Sequence, residues 1–600
     1  MRMGKSPHNG VDLVSAHLDR SARQEKEARF CRMILRRLNF AELRDRELQI
    51  SKAHQETFDW LFKVNKQSSE PWANLASWLK GSQGGNVYWI TGKAGSGKST
   101  LMKYLYNHPQ TARHTRIWAK DGHLFTAGFF FWDSGSYIQM SDKGLLQSLL
   151  YQLMQEEPKF IIKAFEQRWE LYDSRCEGLQ PWTWSELNQA FETIIAHDSL
   201  HFFFVIDGLD EFSGDHAELV SLIIAAGKRP NVKICTASRP WLVFEDAFED
   251  HPSLLLEDLT SNDINTYVTT KFNENKHYKR LRARDPAYAE QLIGNIVHKA
   301  CGVFLWVRLV VRSLLQGLSN SDRFSDLQRR LDTIPPGLEA YFDKMLNSLE
   351  PFYYKHACQL IQVVEAASEP LTLLQLYFAD EEDPMMAMHA DVAPLAEGAC
   401  NDMREEMRRR LNSRFKGLLG ASVVGHSPQR VQYLHRTVRD FFRQDQVWRK
   451  VVEATDNDFD PNKCLSNSFL LQLKRIDPDC MALETFWGIV TSCIYHVGRL
   501  RPSDEGSMQV AYLDELDRAA VTLTSMPNAR GINSWIQRFT LPPQPQHWAS
   551  TRSITTGSFL QFALGSDDAI LIMYARRKIK DMPLVHRKRS KLKIFTGCFE

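Results

Sequence analysis

Long apolar runs are missing from this 600-residue chain. The nearest is Val303–Leu315, and Arg308 and Arg312 interrupt it, so no segment offers the roughly 18 apolar residues that cross a bilayer. The first residues, Met1-Arg2-Met3-Gly4-Lys5-Ser6, contain no apolar core, and no secretory leader is expected. The ten Cys stand singly, with no C-x-x-C pair. That pattern fits reduced thiols in a cytoplasmic protein better than a disulfide framework or a zinc site. Gly (31) and Pro (24) are too few for a collagen-like or Pro-rich protein. Net charge is also nearly absent, at +2, but it is unevenly spread. Nine Lys/Arg and one acid, Asp581, fall between Arg576 and Lys593, which leaves −6 for the remaining residues. A mildly acidic body of this kind carries no nucleic-acid footprint, and the basic segment reads as a nuclear address, an anionic-surface contact or, first, a solvated end.

What is present is ordinary globular material. Hydrophobic residues make up 43% and charged residues 24%, enough apolar side chain to offset the entropy of ordering. At roughly 150 residues per domain the length suggests about four domains. Residues 12–50 carry apolar positions near helical spacing among many Arg and Glu. A connecting stretch follows, with a Trp60/Phe62 cluster and the joint Gly81–Gly85. Short apolar runs then alternate with helical stretches: Asn86–Thr91, His123–Trp132, His201–Ile206, Val232–Thr236 and, more weakly, Ser253–Leu256. Continuous apolar strands separated by helices predict an α/β fold, a parallel sheet covered on both faces. Beyond residue 260 the pattern is helical, at 261–275, 287–316, 323–333 and 337–349, with two β-prone pieces at Ala421–Val424 and Val431–Leu434. No repeat of fixed period is found.

One motif carries chemistry without ambiguity. Gly92-Lys93-Ala94-Gly95-Ser96-Gly97-Lys98-Ser99 fits G-x-x-x-x-G-K-[ST], directly after a β-prone run and before the helical Thr100-Leu101-Met102. Glycines let the backbone wrap and turn its N–H groups inward. The following helix presents its positive end to phosphates. Lys98 supplies a mobile cation for the β- and γ-phosphates, and the Ser99 hydroxyl is a ligand for Mg²⁺. Such a loop predicts an acid at another strand's end, and Asp207 ends His201–Ile206 at the carboxyl edge where open α/β sheets bind ligands. Asp207 is therefore the expected metal residue, with Asp210 or Glu211 to polarise an attacking water. Arg239, at the tip of Val232–Thr236, is placed to read a γ-phosphate.

Together, Gly92–Ser99, Asp207-Gly208-Leu209-Asp210-Glu211 and Ser238-Arg239-Pro240 resemble a NACHT nucleotide-binding module, and more narrowly the nephrocystin 3-like N-terminal domain of large fungal receptor-like proteins. The Asp-Gly-x-Asp-Glu acidic motif is the discriminating element, and Ala53–Phe62 is similar to the lead-in of those proteins. The resemblance covers about residues 40–450. It implies a P-loop domain, a helical domain and a winged helix that folds back on bound ADP, with exchange for ATP permitting self-association. On that template the chain divides into an N-terminal arm and linker (1–85), a P-loop domain (86–258), a helical domain (259–350), a winged-helix-like domain (351–450) and a helical C-terminal region with the basic tail (451–600). Gly302–Trp306 stands where relatives carry a loop contacting adenine or phosphate, here without the usual proline. Tyr433–Phe442 is similar to the family segment whose histidine touches the β-phosphate of ADP, and that role is carried to His435.

The implied function is an ATP/ADP-dependent switch with slow hydrolysis, using Mg²⁺, signalling to an effector the sequence does not name. The rival is a nucleotide-binding scaffold without useful turnover. A small-molecule kinase would need clustered Arg near the loop, and residues 141–200 carry only Arg168 and Arg175. His197-x-x-x-His201 has metal-like spacing but no third ligand. Trp182-Thr183-Trp184 reads as packing or helix entry. Relatives usually continue into repeats, and this chain stops near the point where those would begin, with only Ser558–Ala563 resembling a repeat helix.

Overall fold

Val87–Thr91 (β1), His123–Phe130 (β2), Leu200–Asp207 (β3), Val232–Ser238 (β4) and Ser253–Leu255 (β5) form one five-stranded parallel sheet in the order β2-β3-β4-β1-β5. The computed structural model describes residues 8–54, 57–62, 74–82, 84–175, 180–383, 385–421, 429–477, 483–501, 507–524, 559–564, 566 and 568–581. The chain divides into two units, Met1–Tyr341 and Phe342–Glu600.

The expected α/β core is present, and alternation along β3 shows why its run is continuously apolar. Phe202 and Phe204 enter one hydrophobic cluster with Trp89, Phe125 and Phe191. Phe203 and Val205 enter the other, with Tyr88, Ile90, Trp78 and Leu101. Each face of the sheet needs apolar side chains, so no position on the strand is left for a polar one. The helix His8–Leu38 (α1) belongs to the first of these clusters. Phe30, Ile34 and Leu38, spaced four apart, are fully buried in it.

Register aligns the strand tips. Thr91 of β1 lies opposite Ser238 of β4, and Asp207 of β3 lies between Phe130 of β2 and Ala237 of β4. The indole N–H of Trp89 donates to Ser238 Oγ at 2.8 Å, tying β1 to β4 at this edge.

The helical stretches depart from expectation at their breaks. Residues 12–50 are two helices, α1 and Asp45–Gln49 (α2), separated by the turn at 39–44. The expected 287–316 helix is also two, Pro286–Ala300 and Phe304–Ser319, because Cys301 (φ 46°) and Gly302 (φ 77°) turn the chain left-handed. An additional helix, Lys276–Arg284, starts where the Asn275 side chain accepts the N–H groups of His277 and Tyr278, a cap that apolar periodicity does not register. Trp182 is buried, donating its indole N–H to Arg37 O at 2.9 Å under the Arg168 guanidinium, and Thr183 caps the helix Trp184–Ile195, so that tripeptide is helix entry and packing. Among the described residues no cluster of three metal-ligating side chains occurs, at His197 and His201 or elsewhere.

Among the described residues the second unit is helical apart from a short antiparallel pair. Helices Pro351–Ala366, Leu373–Ala379 and Glu397–Phe415 precede Leu419–Ala421 (β6), which pairs with Val431–Tyr433 (β7), and helix Arg436–Phe442 follows. Residues 422–424 of the first expected β-prone piece lie outside the described residues. A short helix, Met386–His389, precedes Glu397–Phe415, and helices Asp445–Glu453, Pro461–Arg475, Leu483–Val497, Ser507–Thr524, Phe559–Leu564 and Ala569–Asp581 follow among the described residues. The basic residues from Arg587 to Lys593 lie outside the described residues. No described helix is long and apolar enough to cross a membrane.

Candidate phosphate-binding site

The loop Gly92–Gly97 leaves β1 at the carboxyl edge and enters the helix Lys98–Asn107, with Gly97 left-handed at φ 106° as the residue before it. Gly95 is required twice over. Its φ is +75°, and a Cβ there would lie 2.9 Å from Leu305 Cβ. The close approach is a bonded one: Leu305 N–H donates to Gly95 O at 3.0 Å. The Gly302–Trp306 segment therefore rests on the phosphate loop, through a backbone hydrogen bond at the second residue of its helix.

Lys98 Nζ turns onto the loop's own carbonyl oxygens, 2.6 Å from Gly92 O and 3.0 Å from Lys93 O. Burial pushes its ammonium below the ordinary lysine range, and the carboxylates of Asp210, Asp207 and Glu257 oppose that shift. At the start of the loop, Lys93 N–H donates to Glu257 Oε2 at 3.0 Å. Glu257 follows β5, the edge strand beside β1, and sequence reading did not single it out. Its signal was available, an acid just past a strand tip, but the β5 run is short and weak.

Asp207 is 1% exposed at the end of β3. Loss of hydration raises its carboxyl to about 6, against the opposing hydrogen bond from Ser99 and the charge of Arg46. Its Oδ2 has no hydrogen-bond partner, and neither have the buried hydroxyls of Ser96 and Thr91. An unpartnered buried carboxylate oxygen beside a hydroxyl is an all-oxygen donor set, which suits Mg²⁺. The residues present therefore fit the expected metal.

The remaining acids are engaged. Gly208, left-handed at φ 76°, leads into a single turn, Leu209–Glu211. Asp210 Oδ1 accepts the Arg239 backbone N–H at 3.0 Å, and its Oδ2 is 3.1 Å from Arg239 Nε. Glu211 Oε2 accepts the N–H of Asp133, just beyond β2, at 3.1 Å, and Oε1 is 3.8 Å from Arg46 NH2. Thus Gly92–Thr100, Asp207, Asp210, Glu211 and Arg239 gather at one edge, together with Arg46, Asp133 and Glu257, which sequence reasoning missed. No local pattern marks Arg46 or Asp133, because chain crossings bring them in. His435 belongs to the second unit, where it caps the helix Arg436–Phe442: its Nδ1 accepts the Thr437 N–H at 3.1 Å and lies 2.7 Å from Thr437 Oγ1. A cleft of about 580 Å³, lined by Lys93, Asp258, Asn265, His298, Cys301 and Gly302 among others, opens beside the loop.

Residues 56–239 match the family nephrocystin 3, N-terminal, and residues 348–484 match a domain of unknown function (DUF7791). No curated protein matches the chain. Among solved structures, the Drosophila ORC bound to DNA is similar at 12% identity and a TM-score of 0.29, over 68% of this chain and 93% of that one. The Aeropyrum pernix ORC1 protein in complex with DNA is similar at 11% identity and a TM-score of 0.26, over 63% and 91%. Cdc6p from Pyrobaculum aerophilum reaches 11% identity and a TM-score of 0.24, over 68% and 94%. Superpositions this shallow say nothing of what this chain binds. The sequence match and the loop geometry agree on the same segment, and residues 56–239 are a P-loop NTPase domain of the NACHT/nephrocystin type.

Proposed function

We propose that the chain is an ATP/ADP-dependent molecular switch with slow ATP hydrolysis, acting in intracellular signalling of the innate-immunity or incompatibility kind. One observation carries the reading: the Leu305 N–H bond to Gly95 O couples the phosphate loop to the helices that follow the sheet. A change at the phosphates reaches those helices through that bond without further machinery. About 3 kcal/mol of difference in nucleotide affinity between two states shifts their populations by roughly a hundredfold.

In this reading the N–H groups from Gly92 to Thr100 and the Lys98 ammonium hold the phosphates. Ser99 and Asp207 hold Mg²⁺, which when bound supplies charge that offsets the phosphate oxygens. Asp210 or Glu211 polarises the attacking water, Arg239 reads the γ-phosphate, and the cleft at Lys93, Asn265 and His298 takes the base and sugar. His435 clamps the ADP state, so His435→Ala raises the rate of nucleotide exchange. A protein effector or ligand and self-association complete the switch.

A second reading, a nucleotide-binding scaffold without turnover, is supported by the pairing of Arg239 with Asp210 and of Glu211 with Asp133 and Arg46. Mass spectrometry of the co-purifying nucleotide, with phosphate release followed for hours, separates the two. Bound ADP and release that Glu211→Ala abolishes support the switch. Bound ATP with no release supports the scaffold, and a protein that carries and binds no nucleotide defeats both.

A further inference from the structure

We propose that Arg46, delivered by the N-terminal arm, is a phosphate-reading residue of this site: its guanidinium donates to the terminal phosphate of a bound nucleoside triphosphate. The proposal rests on the reading of Gly92–Ser99 as a nucleotide loop. Arg46 lies outside residues 56–239, so the family match assigns it nothing.

The geometry begins with an incompletely used cation. The Arg46 side chain is 19% exposed, and its Nε is buried without a hydrogen-bond partner. Among the described residues its one ion pair, with Glu211 Oε1 at 3.8 Å, is too long for a hydrogen bond. Its charge also acts on Asp207, the expected metal acid. Its guanidinium lies 5.9 Å from the centre of the Trp132 ring. A guanidinium with a buried, unspent Nε–H, beside two carboxylates at a phosphate loop, is suited to donate to a phosphate oxygen. The other cations at this edge are committed differently. Arg239 is bound by Asp210 on its side chain and its backbone, and Lys98 bonds the loop carbonyls.

Arg46 is also held in place from several directions. Lys103 Nζ, on the helix after the phosphate loop, donates to Glu47 O at 2.5 Å and Ile50 O at 2.7 Å. Gln139 Nε2 donates to Glu42 O at 2.9 Å. Upstream, Phe30, Ile34 and Leu38 anchor α1 in the core. The helix that answers to bound phosphate is therefore pinned to the segment that carries Arg46, and the arm becomes a structural part of the site. Because Asp207 and Glu211 stand on the metal and water side of the expected site, the phosphate read by Arg46 is the terminal one, present in a triphosphate and absent from a diphosphate.

The test is a titration of the full chain with fluorescent ATPγS and fluorescent ADP in the presence of Mg²⁺. Arg46→Ala is expected to weaken ATPγS binding about tenfold or more, the loss of one charge-assisted contact, and to leave ADP within about twofold. Arg46→Lys keeps the charge but not the fork, and is expected to recover part of the ATPγS affinity. Equal weakening of both nucleotides assigns Arg46 to packing against Trp132 and overturns the proposal, as does no change in either. If Arg46→Ala does not fold, the ATPγS-to-ADP ratio of Arg46→Lys decides: unchanged from wild type, it overturns the proposal. Lys98→Ala separates this result from the parent reading. If it abolishes both affinities while Arg46→Ala leaves the ratio untouched, the Arg46 proposal alone falls. If it changes neither, the nucleotide reading falls and takes this proposal with it.

Discussion

Each charged side chain at the strand tips is set by a balance of burial and partner. Burial lowers the Lys98 ammonium, and the carboxylates around it oppose that shift while its Nζ bonds the loop carbonyls. In the proposed reading its removal deletes a charge-assisted contact to phosphate, and Lys98→Ala is expected to weaken nucleotide binding by about a hundredfold, read by fluorescence titration. Lys233 has no such compensation. It is 1% exposed on β4, with no anion paired to it among the described residues, and lies 4.4 and 5.3 Å from the ring centres of Trp78 and Trp118. The rings return part of the lost hydration. Burial still lowers its ammonium from 10.5 to about 8. Below about pH 8 both folded and unfolded chains hold that proton, and the cost of burying the charge is fully present. Between about 8 and 10.5 the unfolded chain holds the proton and the folded one releases it, so this group's contribution to stability rises with pH. Lys233→Met is expected to raise the thermal midpoint at pH 7, by on the order of 2 kcal/mol of stability, and to flatten that rise in unfolding curves taken from pH 7 to 10.5.

At the scale of elements, the turn at Cys301–Gly302 decides how the helical segment meets the phosphate loop. A Cβ on Gly302 would lie 2.4 Å from Glu257 O, a backbone atom, and its φ of +77° already disfavours any side chain. Gly302→Ala is expected to cost about 1–3 kcal/mol and to shift the segment that carries Leu305 off Gly95. Faster release of fluorescent ADP, measured by stopped flow, is the readout; an unchanged rate would show that the Gly95–Leu305 bond does not govern release. The family resemblance placed a loop at Gly302–Trp306, but apolar periodicity did not show this turn. Apolar spacing runs through 287–316 without interruption, and a lone Cys-Gly inside it carries weak local signal, whereas the contact with Glu257 and Gly95 that demands the break is long-range. Strands were more legible, because a strand buried on both faces must be apolar at every position, as Phe202–Ile206 is. The phosphate loop was the most legible element, since its glycines, lysine and serine act through local backbone geometry.

For the molecule as a whole, the switch reading predicts association controlled by nucleotide. Light scattering of the purified chain is expected to show a larger species with ATPγS than with ADP, and Lys98→Ala is expected to remove the difference; identical masses in both nucleotides would favour the scaffold. The arm participates at this scale too, since α1 is packed in the sheet's core and α2 presents Arg46 at the tips of β3 and β2. The sequence by itself determined the α/β core, the phosphate loop, the acid ending β3 and the arginine following β4, because each depends on residues adjacent in the chain: strand periodicity, loop glycines, a side chain at a strand's end. Only the tertiary structure decided that Arg46 and Asp133 meet Glu211 at that edge, and that Glu257 and Leu305 bond the loop itself. Their places come from the parallel crossovers, from a helical arm folded back on the sheet and from the helices that follow it, the last bringing together residues 210 positions apart, Gly95 and Leu305, and no local pattern encodes such a distance.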